Sequence, residues 1–155
     1  MSDWSFSTRQ TQADRDAELR LADLVEHQLN CKVDKIGFDI PDQPKPSVDI
    51  GLRRRGITIA FAELRCCRYR FDAFSMDRPW RCDRSKLKRL QRLHIITRVP
   101  VLFIVEFPGL GIRDVRVFDV AKDAPGRWWP CYLERAEGGR GAAFDPAVFR
   151  HLASK

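Results

Sequence analysis

Pro46-Ser47-Val48-Asp49-Ile50-Gly51-Leu52-Arg53-Arg54-Arg55-Gly56-Ile57-Thr58-Ile59-Ala60-Phe61-Ala62-Glu63-Leu64-Arg65 reads as two strands joined by a tight turn. Val48, Ile50 and Leu52 alternate with Asp49, Gly51 and Arg53, the period of a half-buried strand. From Ile57 to Leu64 the chain is apolar or small except for Thr58 and one acid, Glu63. An acid inside such a strand is costly to bury alone and calls for a cation or a strong donor.

Arg54-Arg55-Gly56 fits a three-residue loop with glycine in the left-handed position. That loop pairs Arg53 with Ile57 and sets Asp49 opposite Phe61. Asp49, Phe61, Glu63 and Arg65 then share one face, with the two acids offset by roughly 7 Å along the strand. Carboxylates so placed can converge on one hard cation held by oxygen ligands. A two-residue loop at Arg54-Arg55 would set them on opposite faces.

The 155 residues are expected to form one domain, 11–155, behind a loose polar arm at 1–10. No apolar run reaches about 18 residues, so no membrane span is expected. The start, Met1-Ser2-Asp3-Trp4-Ser5, lacks the pattern of a signal peptide. With five cysteines and no export signal, reduced thiols in a cytoplasm are expected. Cys66, Cys67, Cys82, Cys131 and His94 lack the paired spacing of a zinc site. Buried free thiols are the reading preferred.

The net charge of +7 is concentrated. Residues 53–98 hold 14 Lys and Arg against 4 Asp and Glu, while the remainder holds 14 against 17. A basic field beside paired acids points to a polyanion, nucleic acid first, over an Arg-rich surface that merely faces water. The candidate contacts are Arg53, Arg54 and Arg55 on the hairpin, Arg68, Arg70, Arg78 and Arg81 in the stretch that follows, and Arg84. Between Cys66 and Cys82 basic residues interleave with aromatics, as single-strand binding surfaces use them. The same composition also fits a loop folded down by Phe71, Phe74 and Trp80, and both readings stand.

Around the hairpin, Thr11 to Asn30 carries a helical stripe of Ala17, Leu21, Leu24, Val25 and Leu29, opened by a capping-box-like Thr11 and Asp14. Glu18 beside that stripe is either a third acid turned toward the site or a boundary residue facing water. Cys31 to Ile40 reads as a strand, followed by the proline-rich Pro41 to Pro46. Asp83 caps a second helix to Thr97, with Leu87, Leu90, His94 and Ile95 inward and Arg84, Lys88 and Gln91 on an adjoining line. Val99 to Phe107 is a strand buried on both faces. Arg113 to Val120 is an antiparallel edge strand, Arg127-Trp128-Trp129-Pro130 an aromatic knot and Gly138 to Gly141 a flexible loop. Asp145-Pro146 opens a last short helix.

This order of elements, with acids on the hairpin, resembles the PD-(D/E)XK nuclease superfamily, in particular its Holliday-junction-resolvase-like and restriction-endonuclease-like members. The resemblance runs from about Ala13 to Phe107, around two thirds of the chain. It implies an α/β domain with a mixed central sheet flanked by helices, an αβββαβ core. It also implies Mg²⁺- or Mn²⁺-dependent hydrolysis of DNA phosphodiester bonds. The motif acids match Asp49 and Glu63, the motif lysine matches Arg65, the helical acid matches Glu18, and the polar helix residue matches Gln91, with Lys88 nearby. Metal ligands are then Asp49, Glu63, the Leu64 carbonyl and Glu18. Asp49, Glu63, Arg65, Lys88 and Gln91 form the catalytic set. Val48 stands where the motif has proline, and Arg65 where it has lysine. Arginine does not readily lose a proton, and its planar fork is not a compact ammonium. Either Arg65 acts by charge alone, or Lys88 or Lys86 takes the lysine's part, or catalysis is lost and binding remains. A nucleic-acid-binding module on the same fold and a protein-interaction domain are therefore the competing readings, with a homodimer left open.

Overall fold

The computed structural model describes residues 12–37, 48–111 and 113–152. The N-terminal arm, the Thr11 cap, the end of the first expected strand and the proline-rich connection lie outside them. Helix α1 (Gln12–Leu29) buries Leu21, Ala22 and Val25, on the face of its expected stripe. Strands β1 (Lys32–Lys35), β2 (Ile50–Arg54) and β3 (Ile57–Cys66) follow. Among the described residues β1 is shorter than expected, because the chain turns at Ile36-Gly37.

The hairpin loop is two residues, Arg55-Gly56, both at positive φ (54° and 77°). Two-residue loops of this kind match the right-handed twist of their strands. By itself this loop would reverse the phase of the three-residue reading. A bulge restores it: Arg53 pairs with Thr58 and Leu52 with Ala60, so Ile59 is the extra residue. Gly51 then pairs with Phe61 and Ile50 with Ala62. One step further along the register sets Asp49 across from Glu63, rather than across from Phe61 as expected.

A long connection carries the chain through the one-turn 3₁₀ segment Phe71–Ala73 into β4 (Trp80–Asp83) and α2 (Arg84–Thr97). Then come β5 (Val101–Phe107), β6 (Asp114–Asp119), β7 (Trp128–Tyr132), β8 (Arg140–Phe144) and the two-residue β9 (Arg150–His151). The main sheet runs β1-β2-β3-β5-β6-β9 and is antiparallel except at β3–β5, which is parallel. This is the expected mixed α/β sheet with helices. A second sheet, β4-β8-β7, has no counterpart in the sequence reading. The aromatic knot is β7, the glycine loop is a 3₁₀ turn leading into β8, and the last helix is a single 3₁₀ turn, Pro146–Val148, capped by Asp145. These strands are only four or five residues long, too short for alternation to separate them from loops.

The two faces of the main sheet bury different cores. One packs Ile50, Leu52, Ala60, Ala62, Leu64 and Ile104 against α1. The other packs Val101, Phe103 and Val105 against α2 and the small sheet. Leu87 and Leu90 point inward as expected, whereas Ile95 is 72% exposed. Five residues beyond Leu90 is about 1.4 helical turns, which rotates Ile95 away from the core. Asp83 caps α2 by accepting from the Ser85 backbone N–H at 2.9 Å and the Ser85 hydroxyl at 2.7 Å.

Trp80 joins the two sheets. Its ring lies 5.3 Å from Phe103 on β5 and 6.0 Å from Phe118 on β6, and 5.4 Å from Phe144 on β8. Trp80→Ala is expected to cost about 3–5 kcal/mol, read as a lower urea midpoint. The loss should exceed that from truncating any exposed aromatic, such as Tyr132.

Candidate functional site

Glu63 is a buried charged side chain on β3, 2% exposed. Its carboxylate is compensated on one oxygen only. Arg65 Nη1 lies 2.7 Å and Lys86 Nζ 3.3 Å from Oε2. Oε1 is buried without a hydrogen-bond partner among the described residues. Arg65 arrives because it is two residues along the same strand and so on the same face. Lys86 arrives because the Asp83 cap starts α2 three residues earlier, which aims its first turn at β3.

Asp49, just ahead of β2, accepts from the Leu64 backbone N–H at 2.9 Å through Oδ2. Its carbonyl accepts from Gly37 N–H at 2.8 Å. Gly37 is a close approach: a Cβ there would meet Asp49 Cα at 3.1 Å and Oδ1 at 3.2 Å. Burial, and then the charge of Glu63, push the Asp49 carboxyl up to about 7, against the pull of Arg65 and the Leu64 N–H. Burial works against the charge of Arg65, but Glu63, Asp49 and Glu18 outweigh it and raise its pKa further. Glu18 on α1 is half-buried, and its charge adds weakly to that of Glu63 at Asp49 and Arg65.

Asp49, Glu63, Leu64 and Arg65, all expected at the site, thus come together, whereas Glu18 reaches them only through its charge. Lys88 and Gln91 do not join them. Lys88 Nζ sits 5.1 Å over the Trp128 ring, and Gln91 donates to the Val120 carbonyl at 3.1 Å. Both are on a flank of α2 turned away from the acids. The lysine on the cluster is Lys86, whose side chain is 17% exposed. Its helical offset from the Asp83 cap was the available signal.

The expected basic residues divide. The hairpin tip is seven residues from Glu63 along β3, roughly 23 Å at strand rise. Arg53 pairs there with Asp34 at 3.0 Å, and Arg54 donates to the Leu29 carbonyl. Arg68, Arg70, Arg78 and Arg81 lie on the connection that leaves β3 just past Arg65 and on β4 at its end. Arg70 pairs with Asp72 at 2.9 Å, and Arg84 donates to the Gly141 carbonyl at 3.1 Å. A groove of about 800 Å³ on the outer side of α2 adds Arg89, Arg92 and Arg140, which the sequence reading did not single out.

The residues present suit a hard divalent cation in one respect and are incomplete in another. Two carboxylates, one with a buried unpartnered oxygen, stand beside the Leu64 carbonyl. Among the described residues no three His, Cys, Asp or Glu side chains form a ready cage. Mg²⁺ is commonly held by one or two carboxylates with waters and substrate phosphates, so the donor set fits it. The five cysteines are free, and of them only Cys82 is buried. Burial pushes the Cys82 thiol up to about 12, and burial with Glu106 does the same to Cys66, so neither is a thiolate at neutral pH.

The elevated Asp49 carboxyl has a consequence for stability. Unfolded, the group loses its proton near 3.8; folded, it keeps it until about 7. Folding therefore weakens as pH rises from about 4 and levels off above about 7. Asp49→Asn keeps the acceptor oxygen and removes this pH dependence. The variant should gain urea resistance over the parent at pH 8, and the gain should shrink toward pH 4. An equal difference at both pH values would contradict the assignment.

No protein-family model and no curated protein matches the chain. Among solved structures it is similar to Archaeoglobus fulgidus Hjc, a Holliday junction resolvase from an archaeal hyperthermophile. The match covers 92% of this chain and 97% of that one, with a TM-score of 0.53 and 12% sequence identity. No helix of the described residues is long and apolar enough to cross a membrane. At that identity the likeness establishes the fold alone: a mixed α/β sheet with two helices, of the resolvase and restriction-endonuclease-like type.

Proposed function

We propose that the chain is a metal-dependent nuclease that hydrolyses DNA phosphodiester bonds at the Asp49–Glu63 cluster. The observation that carries the reading is Glu63, buried beside a second acid, with one oxygen held by two cations and the other unpartnered. Asp49, Glu63 and the Leu64 carbonyl would hold Mg²⁺ or Mn²⁺, with Glu18 adding its charge. The metal, when bound, would supply a water of lowered pKa and stabilise the leaving oxygen. Lys86 stands for the motif lysine: a compact ammonium in a mostly buried position, suited to orienting a water or neutralising developing charge. Arg65 contributes its fork to the phosphate. The basic connection after β3 and the outer face of α2 would track the nucleic-acid backbone. The likeness to a Holliday junction resolvase makes branched DNA the first substrate to try.

One observation favours a second reading. Arg65 Nη1 bridges Glu63 and the Leu64 carbonyl, the latter at 3.1 Å, so the arginine itself satisfies part of the site. A non-catalytic nucleic-acid-binding module would show the same arrangement. Cleavage assays on single-stranded, duplex and branched DNA with Mg²⁺ or Mn²⁺ separate the two.

In those assays Glu63→Gln and Asp49→Asn should each lower cleavage by about a thousandfold or more, since a metal contributes several kcal/mol to the transition state. Lys86→Ala should cost about 10²–10³, and Lys88→Ala should leave the rate near that of the parent. Normal rates in both acid variants would remove the cluster from consideration.

Binding is a separate measurement. Affinity should fall with salt by about 0.7–0.9 log units per contacted phosphate for each log unit of salt. Replacing Arg68, Arg70, Arg78 and Arg81 by Ser should flatten that slope by about one unit for each phosphate no longer engaged. The same change at Arg53, Arg54 and Arg55, far down the hairpin, should leave it nearly intact. A chain that binds no nucleic acid at low salt would leave the protein-interaction reading.

A further inference from the structure

We infer that Arg65 sets the cation affinity of the Asp49–Glu63 cluster, because its guanidinium and a divalent cation compete for the Glu63 carboxylate and the Leu64 carbonyl. The inference rests on the metal-site reading above and adds a role for this one side chain. Arg65 Nη1 is 2.7 Å from Glu63 Oε2 and 3.1 Å from the Leu64 carbonyl. A carboxylate oxygen and a neighbouring backbone carbonyl are two of the hard ligands a cation would draw on here. One guanidinium nitrogen spans both.

The distribution of partners on Glu63 is lopsided. Arg65 and Lys86 both lie on Oε2, and Oε1 has no partner among the described residues, although the residue is 2% exposed. Buried carboxylate oxygens are almost always paired, so an orphan beside a doubly paired oxygen leaves a place for one more ligand, such as a cation. A cation taking Oε1 together with the Leu64 carbonyl removes the second partner of Nη1. Lys86 can keep Oε2 charge-compensated while the guanidinium leaves.

Arg65 has somewhere to go. Its side chain is 37% exposed, so the guanidinium can turn from Glu63 toward solvent. Once released, the planar fork presents paired donors to a phosphate, the anion it fits best. Cation binding and phosphate binding are thereby coupled through one residue. The bridge depends on the shape of the guanidinium as well as its charge. A lysine at this position carries the same charge as a single compact ammonium without the fork.

The test is Mn²⁺ binding to the full chain by calorimetry, without nucleic acid, comparing the parent with Arg65→Lys and Arg65→Gln. Competition predicts that Arg65→Lys binds Mn²⁺ several-fold tighter than the parent at unchanged net charge. Arg65→Gln should bind at least about tenfold tighter, the scale of one charged hydrogen bond. If Arg65→Lys matches the parent and only Arg65→Gln tightens, net charge explains the effect and the inference is overturned. Weaker binding in either folded variant overturns it as well. Should Arg65→Gln fail to fold, Arg65→Lys decides alone, because it keeps a cation for Glu63. Binding by the parent with no gain in the variants sinks only this inference. No binding by any of the three sinks the metal-site reading with it.

Discussion

The ion pairing of Glu63 is the constraint on which the site depends. Burying a carboxylate costs several kcal/mol unless cations and donors compensate it. Two compensators reach it by different routes. Arg65 is local, two residues along β3, and needs only an unbroken strand. Lys86 is remote and needs α2 to begin where it does, which the Asp83 cap fixes through Ser85. The two cations stand on Oε2, and the acid Asp49 stands close enough for Glu63 to raise its pKa. The local charge balance therefore changes with whether Asp49 holds its proton.

The hairpin solves a phase problem. A two-residue loop with both residues at positive φ gives the correct twist but the wrong pairing for two acids on one face. Ile59, inserted as a bulge, moves the register by one and brings Asp49 across from Glu63. Bulges re-aim side chains in this way. Gly37 completes the arrangement by letting its backbone lie against Asp49, with no room for a Cβ.

The small sheet gives α2 its position. Trp80 stacks edge-on against Phe103 and Phe118 of the main sheet, and Arg84 and Lys88 reach β8 and β7. The aromatic contacts hold β4, and β4 runs directly into α2. What looks like a peripheral layer therefore sets where Lys86 points. The cations left on the outer side of α2 line a groove that is separate from the acids.

The hydrophobic alternation of Val48, Ile50 and Leu52, the helical stripe of Leu21 and Val25, the apolar run of β5 and the Asp83 cap determined the hairpin, the central strand, both helices and their order, because each is a local pattern. The pairing of Glu63 with Arg65 was legible for the same reason: side chains two apart on a strand share a face. Tertiary structure decided the rest. The bulge at Ile59 has no signature in one strand, since it exists only as a mismatch between two. The choice of Lys86 over Lys88 turns on helix rotation against a second sheet, whose short strands carry no periodic signal. That Arg65 lies across both Glu63 and the Leu64 carbonyl is a matter of ångström-scale distances between a side chain and its own backbone, and only the folded chain sets them.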